Sequence, residues 1–257
     1  RPAPPVLKSR RRARDAGPVP PAITATDLPA SMSPTGPYRI AMVCTGNICR
    51  SAMARVVLID RLTAAGVPDD GVDGVAVTSS GVSDEEHGNP MDRRARRILA
   101  DHGYGRGSDD VARAVSRAIA AHRAHRISDA ELADSDLILA MTSRHRGALL
   151  RRAERLGLGD GPAPGDGPGA AAGRIRLLRE FDPAAVGLTA ESGAPPPGAL
   201  DVPDPWYGTM EDFAATLEVV ERVSDALAPA LVELAAERSQ TLTRAQAPGR
   251  AARPASR

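Results

Sequence analysis

Hydrophobic positions along this chain alternate between short apolar runs and longer stretches at helical spacing. The first run, Ile40 to Val43, lies inside Tyr38–Ser51 (YRIAMVCTGNICRS) and reads as a strand. After Ser51 a helix-forming stretch begins with Ala52, Met53, Ala54 and Arg55 and continues through Val57, Leu58 and Leu62; Gly66 and Pro68 stop it. Val72 to Ser79 predicts a second strand, followed by a loop to Pro90. Met91 to His102 predicts a helix with Ile98 and Leu99 inward and Gly103 as its stop. Val111, Val115 and Ile119 stand at helical spacing within 105–121, a partly helical insertion. Ser128, with Glu131 three positions on, offers a helix N-cap. Leu137 to Met141 is wholly apolar, as a central parallel strand requires. A basic helix follows from Ser143 to about Arg155, and Arg174 to Leu178 is the fourth strand. The last helix runs from Met210 to about Glu237 on a stripe of Phe213, Leu217, Val220, Leu227, Leu231 and Leu234, with a kink expected at Pro229.

Strands alternating with helices imply an α/β fold: a three-layer sandwich whose parallel sheet is covered on both faces. Ligands bind such sheets beyond the carboxyl ends of the strands. Cys44 stands at such an end, so the loop after the first strand is the expected phosphate-binding loop.

The folded domain is expected over 38–238. Residues 1–37 are rich in Pro and Arg without a period and read as a disordered tail, as do residues 239–257. Besides 105–121, further insertions are expected near 157–173, of low complexity, and near 184–200, a long Pro/Gly-containing loop. Only 2% of the 257 residues are aromatic, so the core is aliphatic. The net charge of +1 argues against a nucleic-acid partner. No apolar run reaches the length of a membrane span, and the basic first residues lack the apolar segment of a signal peptide. Both cysteines lie in one loop, which leaves no disulfide framework elsewhere. A cytoplasmic protein, monomeric or weakly dimeric, is the expectation.

Strand, tight turn and helix N-terminus make a nest of backbone N–H groups that binds an anion. Such a nest holds a cysteine at its mouth as thiolate, here Cys44. At its far end Arg50 adds a planar fork that grips phosphate oxygens in pairs. Cys49 and Arg55 repeat the spacing, but without a glycine and inside the helix.

The string CTGNICRS resembles the phosphate loop of the low-molecular-weight protein tyrosine phosphatases, V-C-x-G-N-x-C-R-S. Val43, Cys44, Gly46, Asn47, Cys49, Arg50 and Ser51 match it, and Ala52 replaces the family's usual proline. Asp204-Pro205-Trp206-Tyr207-Gly208 resembles the family's second motif, and the likeness spans about 38–238. It implies a four-stranded parallel sheet and a phosphoprotein substrate hydrolysed through a phosphocysteine, with no metal and no cofactor. Cys44 would be the nucleophile, the N–H groups of Thr45 to Arg50 the cradle, and Asp204 the general acid and later base, with Asp201 its rival on the same loop. Trp206 and Tyr207 would shield the site and flank an aromatic ring. Ser51 would bond the Cys44 sulfur. Asn47 would fix the loop, paired with Ser79, and His122 would join that network. Cys49 would form a protective reversible disulfide with Cys44.

Two positions bear on substrate. Ile48 is the apolar residue of the tyrosine-phosphatase version of the loop, where related arginine phosphatases carry threonine. Glu85 stands where many tyrosine-specific members carry an aromatic wall. Three alternatives remain. A protein arginine phosphatase has Ile48 against it and Met141-Thr142 for it. An arsenate reductase would need further redox cysteines. A phosphocysteine carrier would need neither Arg50 nor Asp204.

Overall fold

The computed structural model describes residues 22–158, 170–185 and 196–246. Its elements in chain order are β1 (Tyr38–Cys44), α1 (Arg50–Ala64), β2 (Val75–Gly81), α2 (Arg93–Asp101), α3 (Asp110–Ala120) and α4 (Asp129–Asp134). They continue with β3 (Leu137–Ala140), α5 (Ser143–Arg155), α6 (Ala170–Arg174), β4 (Ile175–Leu177) and α7 (Met210–Gln246). The four strands pair in parallel in the order β2-β1-β3-β4. This is the expected α/β sheet.

Alternation along β1 builds the three layers. Ile40, Met42 and Cys44 point into one core with α1, α2, α3 and α7, while Ala41 and Val43 point into the other with α4 and α5. Nearly every side chain of β1 is buried, which is why the strand reads as a continuous apolar run. The chain leaves β1 at Cys44, flanked by Gly81 of β2 and by Met141, whose N–H donates to the Val43 carbonyl. The loop therefore opens at the carboxyl edge of the sheet, between the ends of β2 and β3.

Several boundaries differ from expectation. β2 begins at Val75 rather than Val72, because Val72–Gly74 turns tightly and Val75 N–H donates to the Pro68 carbonyl. Within 105–121, α3 is packed into the core: Val115 is fully buried, Val111 and Ile119 pack beside it, and the helix lies against α1. Residues 22–37, expected as part of a disordered tail, pack on the domain. Ala25 and Leu28 are buried, Tyr38 Oη donates to the Pro29 carbonyl, and Met32 N–H donates to Asp136. Arg238 on α7 donates to the carbonyls of Ser33 and Gly36. The composition of this segment hid an anchorage that depends on distant partners.

α7 also runs past Glu237 to Gln246, so residues 239–246 are helical rather than disordered. The first helix breaker after Pro229 is Pro248. α7 continues through Pro229 as one element. The carbonyl left without its intrahelical donor is that of Asp225, an exposed residue. Residues 1–21 and 247–257 of the expected tails, and 159–169 and 186–195 of the expected insertions, lie outside the described residues. Among the described residues no helix is long and apolar enough to cross a membrane.

Candidate active site

The turn after β1 closes on Asn47, at φ 62°, the one non-glycine residue with positive φ among those described. A left-handed conformation costs most residues roughly 1–2 kcal/mol, and asparagine tolerates it best. Here four polar contacts hold it. Asn47 N–H donates to Cys44 Sγ at 3.3 Å and Nδ2 donates to Ser51 Oγ at 2.9 Å. Its Oδ1 accepts from His125 N–H at 3.3 Å, and its carbonyl meets His122 Nε2 at 2.7 Å. A carbonyl only accepts, so His122 carries its proton on Nε2. Burial pushes the His122 pKa down, which favours this neutral form.

Ser51, in the first turn of α1, stands 3.0 Å from Cys44 Sγ. Its oxygen already accepts from Asn47, so its own proton is free to point at the sulfur or at the Ser80 carbonyl, 3.4 Å away. The expected pairing of Asn47 with Ser79 is absent. Ser79 is buried in β2 with an unpartnered hydroxyl, and the Asn47 amide is spent on Ser51 and His125. Cys49 is buried beside the loop, and burial together with Asp92 pushes its thiol pKa up. Both cysteines are free.

Arg50 opens α1 and is almost fully buried. Its Nη1 donates to the Val202 carbonyl at 3.2 Å; its Nη2 donates to Asp204 Oδ2 at 2.6 Å and to Thr45 Oγ1 at 3.4 Å. The Asp204 side chain is 45% exposed. Its other oxygen accepts from Trp206 N–H, which folds the loop back on itself. Asp201, the rival, accepts from the N–H and hydroxyl of Ser143 at 2.7 and 2.8 Å and so caps the start of α5.

Cys44, Arg50 and Asp204 border one pocket of about 440 Å³, with Thr45, Gly46, Ile48, Cys49, Trp206, Tyr207 and Glu85 around it. Trp206 is half-buried, and Tyr207, at the pocket's edge, is 95% exposed. Glu86 covers Gly46 so closely that a Cβ there would lie 2.8 Å from its Cγ, hence the glycine. Among the described residues no group of three His, Cys, Asp or Glu side chains is placed to hold a metal ion.

The structure adds residues that sequence reasoning missed. Glu86 and Arg144 line the pocket beside the expected set. Arg94 donates to the carbonyls of Trp206 and Gly208, is held by Asp92, and lies over the rings of Trp206 and Phe213 at 5.5 and 4.7 Å. His145 meets Thr45. None of these carries a local motif; only the fold brings them to the loop.

A thiol at the carboxyl edge of a parallel sheet, in a tight loop that leads into a helix N-terminus with a buried guanidinium, defines an α/β protein with Cys44 and Arg50 on one loop. The family model described as low molecular weight phosphotyrosine protein phosphatase matches residues 39–157. The low molecular weight protein-tyrosine-phosphatase of Streptomyces coelicolor is 36% identical over 196 residues, covering 76% of this chain and 94% of that one. The protein-arginine-phosphatase of Geobacillus stearothermophilus is 27% identical over 195 residues, covering 76% and 97%. In three dimensions a protein tyrosine phosphatase from Entamoeba histolytica aligns with TM-score 0.53 at 21% identity, over 76% of this chain and 97% of that one, a likeness that speaks for the fold. The chain belongs to the low molecular weight phosphotyrosine protein phosphatase family.

Proposed function

We propose that the chain hydrolyses phosphotyrosine in phosphoproteins through a phosphocysteine on Cys44. The observation that carries this reading is the convergence of Cys44, Arg50 and Asp204 on one pocket, with Arg50 2.6 Å from Asp204. In the first step Cys44 Sγ attacks phosphorus, the bond to the tyrosine oxygen breaks, and Asp204 gives that oxygen its proton. In the second, water attacks phosphorus and gives its proton to Asp204; the S–P bond breaks and phosphate leaves. The loop N–H groups and Arg50 hold the equatorial oxygens throughout. Every group this sequence of steps needs is supplied by the chain. The incoming phosphate takes over the Arg50 fork, which releases Asp204 from the ion pair and frees it to carry a proton. Two cysteines, both in one loop and both free, leave no disulfide framework elsewhere, which favours a reducing, cytoplasmic setting.

Ile48, buried at the pocket floor, suits an aryl ring better than a guanidinium. Glu85 stands in place of half of an aromatic slot, and with Glu86 beside it the pocket lining carries negative charge, which weakens acidic peptides in particular. The arginine-phosphatase reading is the second one, favoured by these carboxylates, which suit a cationic substrate side chain. Cys44→Ser tests the chemistry: turnover of phosphotyrosine is abolished while vanadate still binds. An active Cys44→Ser enzyme rejects the nucleophile assignment. A wild-type kcat/KM higher for phosphoarginine than for phosphotyrosine rejects the substrate assignment alone.

A further inference from the structure

His145 is a buried histidine at the first turn of α5, and the steps above leave it without a task. Its Nε2 lies 2.9 Å from Thr45 Oγ1, inside the phosphate loop. The same oxygen lies 3.4 Å from Arg50 Nη2. A guanidinium only donates, so Thr45 Oγ1 accepts from Arg50 and keeps its second lone pair and its own proton for His145. Nδ1, on the other side of the ring, is buried without a partner, so the bond to Thr45 is what the ring's polar atoms make in this site. The backbone that carries the ring is fixed at the helix start, where the main-chain N–H of His145 donates to the N-cap Thr142 Oγ1.

We propose that His145 is a positioning residue for the phosphate clamp: its neutral imidazole orients the Thr45 hydroxyl, and that oxygen holds the Arg50 guanidinium in the plane the phosphate meets. The inference rests on the phosphatase reading of the loop. Arg50 has three protein anchors, Val202, Asp204 and Thr45. When substrate arrives Asp204 departs to serve the leaving group, and Thr45 and Val202 remain. A hydroxyl that had lost His145 would be free to rotate, and the fork would lose its defined seat. The charged groups acting on the ring are Arg50 and Arg144, which disfavour its protonation, and Asp204 and Asp201, which favour it. Burial and Arg50 prevail, pushing its pKa down to about 4, so the neutral imidazole holds at neutral pH.

The test measures inorganic phosphate binding by calorimetry and kcat/KM for p-nitrophenyl phosphate on the full chain. His145→Leu and Thr45→Val are each expected to weaken phosphate binding roughly tenfold, the weight of one hydrogen bond to a charged group. The double variant is expected to lose no more than either single one. His145→Gln, which keeps an acceptor, and Thr45→Ser, which keeps the hydroxyl, are expected to restore most of the affinity. Additive losses in the double variant, or a lowered Tm with phosphate affinity intact, would overturn the proposal and make His145 a packing residue. Should His145→Leu not fold, Thr45→Val against Thr45→Ser reads the same contact, and equal phosphate affinity for the two overturns it. Because phosphate binding is read apart from turnover, a wild type that binds phosphate but hydrolyses nothing would fail the phosphatase reading without deciding this one.

Discussion

Asp201 and Asp204 share one loop, and their neighbours divide them. Asp201 is consumed by the N-terminus of α5, whereas Asp204 reaches Arg50 and the pocket. Proximity in sequence left the choice open, since either carboxylate follows the long loop. A positioned acid is worth about 10²–10⁴-fold, so Asp204→Asn should lower kcat by that range for poor leaving groups. The loss should shrink for aryl phosphates whose leaving groups need no proton. An equal loss across a leaving-group series would make Asp204 structural. Phosphate binding should survive, because the substitution also removes the carboxylate that competes for Arg50. Ser79 gives the opposite lesson at this scale. Its residue type fits a hydrogen bond to Asn47, but the geometry spends the Asn47 amide on Ser51 instead.

At the level of elements, the acid loop is held by its own turns at Asp204–Trp206 and Pro205–Gly208 and is tied down from outside by α2. Arg94 reaches from α2 to two carbonyls of that loop and is packed between Trp206 and Phe213. Cation–π contacts of this kind add about 0.5–2 kcal/mol, and hydrogen bonds from a charged donor about 1.5–3 kcal/mol. Arg94→Leu keeps an apolar stem between the rings and removes the charge and the donors. It should lower kcat roughly tenfold on substrates with poor leaving groups, by letting Asp204 wander. Trp206 is the one tryptophan in the chain, so its fluorescence reads the loop directly. Greater quenching of Trp206 by acrylamide should accompany the kinetic loss; unchanged quenching with unchanged kcat would show that α2 does not brace the loop.

Across the whole molecule the two ends of the sheet do different work. The carboxyl ends of the strands hold the phosphate loop. The amino ends are tied by residues 22–37 and by α7, where Arg238 donates to the carbonyls of Val72, Ser33 and Gly36. This tie lies across the full length of β1 from Cys44. Arg238→Ala should therefore cost stability, about 2 kcal/mol or roughly 4–8 °C in Tm, with kcat/KM unchanged. Calorimetry and a p-nitrophenyl phosphate assay on the same sample check it; a kcat/KM that falls with Tm unmoved would contradict this division of the sheet.

The sequence by itself determined the strand order of events along the chain, the loop after β1 and the residues of its motif. Those features rest on local patterns: a buried strand must be apolar at every position, and a phosphate nest needs its glycine, its asparagine and its arginine at fixed spacing. Cys44 and Arg50 are legible from that strand–turn–helix pattern, Asn47 and Ser51 from the resemblance of the loop to a known family, and α1, α2 and α5 from helical spacing. Tertiary structure alone decided that residues 22–37 pack rather than dangle, since Tyr38, Asp136 and Arg238 hold them from far along the chain. It alone brought Arg94 to the acid loop and His145 to Thr45. No periodicity announces such contacts, because each joins side chains from separate elements whose distance is set only when the layers close on the sheet.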